Sequence, residues 1–574
     1  MFTLIQRYLC LLLLLLSFAA AAGNHNKIVP PIALGSFPVA CSNIAHDEAA
    51  MNRIGGLPAD FWEGNPQNGQ LRYITQILAE PQAAIQFSLH IPADRGLYTN
   101  FADDNLQFLT LVCYPTSPAN LRPDYLLPDG LVIPRMERPG DLPIFPDSGT
   151  AYPLIVYSHG IGGSPVSNDY LGTILRMARH GYTVMAVFHG DARIARIRVG
   201  DLSGVIHLIS NFDQYVELQA MRPLALKAAL DDLLARPGYR EHIDQQKIGG
   251  FGASLGGEAL LLSMGAQLTS NLRLDSRPVA QDERIKAAVG YVPYAGQRLL
   301  PAFGDNQNGA QYVTRPYLAI GGTADTTAPL YMTEQAVNRF GGSRYLVALT
   351  DVAHRYLPEY ADDVFSWAIT FFDAHVRDDR EALSRLVQTA AIAGGLIDSL
   401  RIDYTAPTAL VTGEALVTEH YYQPLGHFFA AANDAERAFA DAGAAQGWSR
   451  TGQAFKALLA PQTAHGLNTQ PVCRFFGVEP IKPTFFYSSS QAECDYLRAN
   501  NPGWRDLGTA FHSWSPDIFG NCADGLIGVY RLYNNGWQPP RYEPNHRYTT
   551  SLSTVAEMVR NGWVNEGQKF CAPL

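Results

Sequence analysis

Residues 247–257 read Lys247-Ile248-Gly249-Gly250-Phe251-Gly252-Ala253-Ser254-Leu255-Gly256-Gly257, an apolar run that passes through Gly-x-Ser-x-Gly into helix-forming residues near Glu258. The pattern predicts a strand, a sharp turn and a helix. Gly252 and Gly256 suit such a turn because the two backbones must approach closely there, and Ser254 would hold a strained conformation that exposes its hydroxyl above a sheet. With 50 glycines in 574 residues the pentad alone is a weak signal, and its weight comes from its surroundings.

Those surroundings alternate. Short apolar runs at 153–157, 183–188, 247–251, 285–292, 317–321 and 345–349 are rich in Val, Ile, Ala and aromatic residues and bounded by Gly, Pro or Asp. Helical patterns at 171–180, 217–235 and 330–339 lie between them, which predicts a mostly parallel sheet with crossover helices. Upstream, 84–91 and 106–114 read as an antiparallel pair opening the sheet, closed by Pro92 and Pro115.

A serine hydroxyl is a poor nucleophile at neutral pH, so a base must take its proton and a carboxylate must hold that base in the right tautomer. The run 317–325 ends a strand on Asp325, and 346–354 ends the next on His354. Asp325 is therefore the expected orienting acid and His354 the expected base, with Asp351 a competitor for the acid's role. Two backbone N–H donors are expected to bind the developing oxyanion. One is Leu255, directly after the nucleophile; the other is Ile161 in Ser158-His159-Gly160-Ile161-Gly162-Gly163, which follows the first parallel strand. His159 is expected to brace that loop, and His189 either lines an acyl pocket or only ends its strand; both are candidate pocket residues.

A net charge of -10 argues against nucleic acid, because binding a phosphate backbone needs clustered Lys and Arg. The apolar run 9–22 after Arg7 ends in small residues at 19–23, the pattern of a cleaved secretory leader, so a secreted or periplasmic protein without a membrane span is expected. Beyond that leader stand Cys41, Cys113, Cys473, Cys494, Cys522 and Cys571, an even set suited to disulfides in an oxidising compartment. Grouping by region pairs Cys41 with Cys113 and leaves two bridges among the last four. No Cys/His spacing suits zinc, and neither metal nor organic cofactor is expected.

Past residue 413 an internal repeat begins. Gly447-Trp448, Gly503-Trp504 and Gly562-Trp563 precede Gly452, Gly508 and Gly567 by one shared offset, and each of those glycines precedes Phe455, Phe511 or Phe570 by three. Aromatic segments at His427-Phe428-Phe429, Thr484-Phe485-Phe486 and His546-Arg547-Tyr548 lead each copy. Aromatics at fixed repeat positions read as repeat core rather than as a ligand platform. The expected division is a leader at 1–23, an N-terminal extension with opening strands at 24–150, a catalytic core at 151–402, a linker at 403–413 and a three-repeat α+β domain at 414–574.

On these residues, 152–374 resembles the dienelactone-hydrolase-like branch of the α/β hydrolases, near the platelet-activating-factor acetylhydrolases and cutinase-type polyester hydrolases. The matching elements are His159-Gly160-Ile161-Gly162-Gly163, Gly252-Ala253-Ser254-Leu255-Gly256-Gly257, Gly322-Thr323-Ala324-Asp325 and His354. The resemblance implies an α/β-hydrolase fold and a Ser-His-Asp esterase acting on a lipid, a small ester or a polyester. Ala253 stands where lipases often carry histidine, and dienelactone hydrolases proper have cysteine in place of Ser254. The region from 414 resembles an uncharacterised repeat domain of exported bacterial proteins, marked by Tyr530-Arg531-Leu532-Tyr533-Asn534, which implies an accessory role in contacting a cell surface or polymer. Alternatives are a serine peptidase of the same fold, or a surface-binding protein with an inactive hydrolase domain. Residues 191–214 are a candidate lid.

Overall fold

The structure is a computed structural model and describes residues 27–55, 76–147, 149–195, 207, 209–537 and 542–574. The leader at 1–23 and, within the candidate lid, residues 196–206 and 208 lie outside the described residues. The chain divides into two units: residues 30–379 with 391–401, and residues 402–574 with 380–390 and the described residues before 30.

The first unit is built on a ten-stranded sheet. Its strands are β1 Val39–Cys41, β2 Ile85–His90, β3 Asn105–Pro115, β4 Tyr152–Ser158, β5 Thr183–Phe188, β6 Ile243–Ala253, β7 Ile285–Tyr291, β8 Tyr317–Gly322, β9 Arg344–Leu349 and β10 Asp398–Tyr404. They lie in the order β10-β9-β8-β7-β6-β4-β5-β3-β1, with β2 beside β3. Neighbours from β5 through β4, β6, β7 and β8 to β9 run parallel, whereas β3 is antiparallel to β1, β2 and β5. Every residue of β4, β5 and β8 is buried, as strands covered on both faces require. The connecting helices are α1 Asn168–Arg179, α2 Phe212–Ala235, α3 Leu255–Ser263, α4 Leu330–Val337 and α5 Ala361–His375. The chain leaves β4 for β5 on one side and returns as β6 on the other. The carboxyl ends of β4 and β6 therefore flank the point where strand order reverses, the usual place for a site in an open parallel sheet.

Two elements are longer than their sequence pattern predicts, for physical reasons. β6 begins at Ile243 because Tyr152 pairs with Ile243 across polar residues 244–247, which carry no apolar signal. α2 begins at Phe212 and continues through Pro223, whose missing N–H the helix tolerates in a fully buried setting. The Cys41–Cys113 disulfide joins directly paired residues of β1 and β3.

In the second unit each repeat is a hairpin, a helix and a returning strand. The first comprises β11 Glu414–Tyr422, β12 His427–Ala431, α6 Asp434–Ala442 and β13 Trp448–Leu458. The second comprises β14 Gln470–Gly477, β15 Phe485–Ser488, α7 Gln491–Asn500 and β16 Trp504–Ser513; the third comprises β17 Leu526–Tyr533, β18 His546–Thr549, α8 Leu552–Arg560 and β19 Val564–Pro573. Asn433, Ser490 and Ser551 cap the three helices by accepting from the N–H three residues on. Gly452, Gly508 and Gly567 hold φ of 78°, 82° and 81°, which is why glycine recurs at that offset. Phe455, Phe511 and Phe570, one per repeat, meet as a triangle with centroids 5.6–6.0 Å apart at the centre of the unit.

Ion pairs, partly shielded from solvent, join the repeats in a ring. Arg474 of the second repeat bonds Glu436 of the first, and Arg531 of the third bonds Glu493 of the second at 2.9 Å. At the third junction the pair comes from two strands, with Glu419 on β11 of the first repeat holding Arg547 on β18 of the third at 2.8 Å. Disulfides Cys473–Cys494 and Cys522–Cys571 complete the pairing that the sequence left open. Among the described residues no helix is long and apolar enough to cross a membrane.

Candidate active site

β6 runs into α3 through Ser254, whose φ of 52° and ψ of -119° are strained for a residue with a Cβ. The neighbours enforce this. Ser254 N–H donates to the Tyr291 carbonyl at 2.9 Å, and the Ser254 carbonyl accepts from Tyr294 N–H at 3.0 Å and Gly257 N–H at 2.9 Å. A Cβ on Gly252 would lie 2.3 Å from the Gly256 carbonyl oxygen, and one on Gly256 1.9 Å from the Ser158 carbonyl oxygen. Glycine at both positions is thus a steric requirement of packing strand, helix and β4 together.

Asp325 lies three residues past β8 and His354 five past β9, so both stand at the same sheet edge as Ser254. A Cβ on Gly322 would sit 2.1 Å from the Val352 carbonyl oxygen, so these two loops can meet only because residue 322 has none. Ser254 Oγ lies 2.8 Å from His354 Nε2, and His354 Nδ1 lies 2.7 Å from Asp325 Oδ2. The other carboxylate oxygen, Oδ1, accepts from Thr327 and Ala328 N–H at 2.8 Å each, which fixes the carboxylate plane. Because a carboxylate only accepts, Nδ1 carries the proton and Nε2 is free to accept from the serine hydroxyl. Asp351, the competitor, is exposed, and its N–H donates to Thr323 Oγ1; it takes no part in this chain.

The loop after β4 packs against the same serine. A Cβ on Gly160 would lie 3.3 Å from Ser254 Cβ and 2.7 Å from Tyr170 Oη. Leu255 N–H opens α3, where the first amides have no intrahelical acceptor and the helix dipole is positive. His159 Nδ1 donates to the Gly160 carbonyl at 2.7 Å, and its Nε2 accepts from His189 N–H at 3.2 Å. Ser158 Oγ in turn lies 2.8 Å from His189 Nε2. Burial, and then the nearby Arg222 charge, lowers the His159 imidazole to about 4; burial also holds His189 well below the ordinary histidine range. Both are neutral near pH 7. At 0% and 1% exposure both lie beneath the loop, tied to it and to each other by these bonds.

Three buried groups escaped the sequence reading. Arg222 and Asp191 form an ion pair under the loop, and Glu258, in the first turn of α3, accepts from Gln219. An arginine set between Met221 and Pro223 in the mostly apolar stretch 220–226 was the available signal for the first of these. Among the described residues no cluster of three or more His, Cys, Asp or Glu is arranged to hold a metal ion.

Residues 419–573 match a family described as a domain of unknown function (DUF5648), and this span covers most of the three repeats. No curated protein matches the chain.

Proposed function

We propose that the first unit is a serine hydrolase that cleaves carboxylic esters through an acyl-enzyme. The observation that carries this reading is the hydrogen-bonded series Ser254, His354, Asp325, anchored at the ends of three parallel strands with the serine on a strained strand-to-helix turn. Ser254 Oγ attacks the ester carbonyl while His354 Nε2 takes its proton, and Asp325 stays ionised to stabilise the imidazolium. The N–H groups of Ile161 and Leu255 bind the oxyanion. His354 then returns the proton to the departing alcohol, and water repeats the sequence to release the acid.

The strand order, reversed at β4 and opened by antiparallel β1 to β3, supports an α/β-hydrolase fold of the dienelactone-hydrolase-like branch. The three disulfides accord with action outside the cytosol, on a lipidic, small or polymeric ester, with the repeat unit as an accessory that contacts a surface or polymer. The test is labelling with a fluorophosphonate and turnover of p-nitrophenyl esters by the full chain. Wild type should label once and turn over, and Ser254→Ala should do neither while melting at the same temperature. Undiminished turnover by folded Ser254→Ala would refute the assignment.

A further inference from the structure

We infer that Arg222, clamped on Asp191, is the positioning residue that aims the Ile161 N–H at the oxyanion, an inference that rests on the hydrolase reading above. The guanidinium, 1% exposed on α2, spends its donors on three groups. Nε donates to Asp191 Oδ1 at 3.0 Å and Nη2 to Asp191 Oδ2, Nη1 donates to the His159 carbonyl at 2.5 Å, and Nη2 also reaches the Gly160 carbonyl at 3.3 Å. The Gly160 carbonyl further accepts from His159 Nδ1 at 2.7 Å and Gly163 N–H at 3.3 Å.

Three donors therefore hold one carbonyl. The peptide from Gly160 to Ile161 is trans, so its C=O and N–H point in opposite directions. Fixing the oxygen towards Arg222 fixes the hydrogen away from it, in a loop that passes close enough to the nucleophile for a Cβ on Gly160 to lie 3.3 Å from Ser254 Cβ. The Ile161 side chain itself is 39% exposed and does little to anchor the loop. A buried arginine carries a desolvation cost that a loop brace alone does not demand, and Asp191, on the turn after β5, compensates it with a bidentate contact. An ammonium in the same place would present no planar fork and could not serve carboxylate and carbonyls together.

Since the Ile161 N–H meets full negative charge only in the tetrahedral state, disordering it should lower kcat and leave KM nearly unchanged. The variants are Arg222→Lys, and Arg222→Met combined with Asp191→Asn, which removes both charges so that none is left buried alone. Active serines are counted by fluorophosphonate taken to completion; kcat and KM are measured on p-nitrophenyl butyrate, and affinity on an aryl trifluoromethyl ketone, which forms a tetrahedral oxyanion on the serine. Both variants should lose ~10²-fold or more in kcat per titrated serine, with KM within about threefold and ketone affinity weakened in parallel. If titratable serine or melting temperature falls while kcat per serine and ketone affinity hold, the pair is structural and the inference is overturned. Wild type that neither labels nor turns over would instead remove the hydrolase reading beneath it.

Discussion

Glu258→Gln should stabilise the first unit, and by more as the pH rises. Glu258 is fully buried four residues after Ser254, with Gln219 Nε2 donating to it at 2.5 Å and the nearest cation, Arg222, committed to Asp191. Burial pushes its carboxyl up from the ordinary 4.5 to about 8, overcoming the Gln219 bond and the Arg222 charge. The folded protein thus keeps a proton that the unfolded chain releases. The stability that Glu258 contributes is greatest below pH 4.5 and declines as the pH rises towards 8, at ~1.4 kcal/mol per pH unit. Glutamine keeps the acceptor for Gln219 and has no proton to lose, so by this linkage the variant gains about 3 kcal/mol over wild type at pH 7 and under about 1 kcal/mol at pH 5. Urea unfolding of both proteins, followed by near-ultraviolet circular dichroism at pH 5, 6, 7 and 8, measures the difference, in which other titrating groups cancel. A stability gap that stays constant across that range, or a wild type that gains on the variant as pH rises, refutes the reasoning.

Asp325→Asn should fold normally and lose ~10⁴-fold in kcat on p-nitrophenyl esters, because an amide stabilises the wrong histidine tautomer. Gly256→Ala should give no soluble folded protein, since its Cβ would stand 1.9 Å from the Ser158 carbonyl oxygen, two backbones that cannot part without dismantling the turn; a soluble variant with wild-type melting counts against that geometry. Arg531→Met takes the shared cation from Glu493 and Glu566, both partly exposed and so compensated by solvent, and should cost the second unit ~1–3 kcal/mol, read as a lowered urea midpoint.

The parallel strands were legible because each is a short run of Val, Ile, Ala and aromatics between breakers, and 183–188 matches β5 residue for residue. The site was legible in part. Ser254, Asp325 and His354 each follow an apolar run, and chain order groups them; strand position favours Asp325 over Asp351, and the fold brings its carboxylate from 29 residues away onto His354 Nδ1. Arg222 and Asp191 carry no spacing rule at all. They are 31 residues apart on different elements, and they meet only where the fold brings the turn after β5 against α2, beside peptide carbonyls that a sequence does not display. In the repeats the Gly-Trp and Phe offsets were plain, yet the ring of ion pairs was not, since each pair joins positions in different copies.

That ring has a seam. Two junctions place arginine on the later copy and glutamate on the earlier one, a polarity that could recur indefinitely along a growing array. The junction between Glu419 and Arg547 is built differently: its glutamate lies on the opening strand that carries arginine in the other two copies, and its arginine on β18 of the last. A fourth copy built like the second would find no glutamate waiting on α8, where Thr554 holds the position that Glu436 and Glu493 hold on the earlier helices. The third copy thus offers no acid to a successor's arginine, and its own Arg547 turns back to the first copy instead.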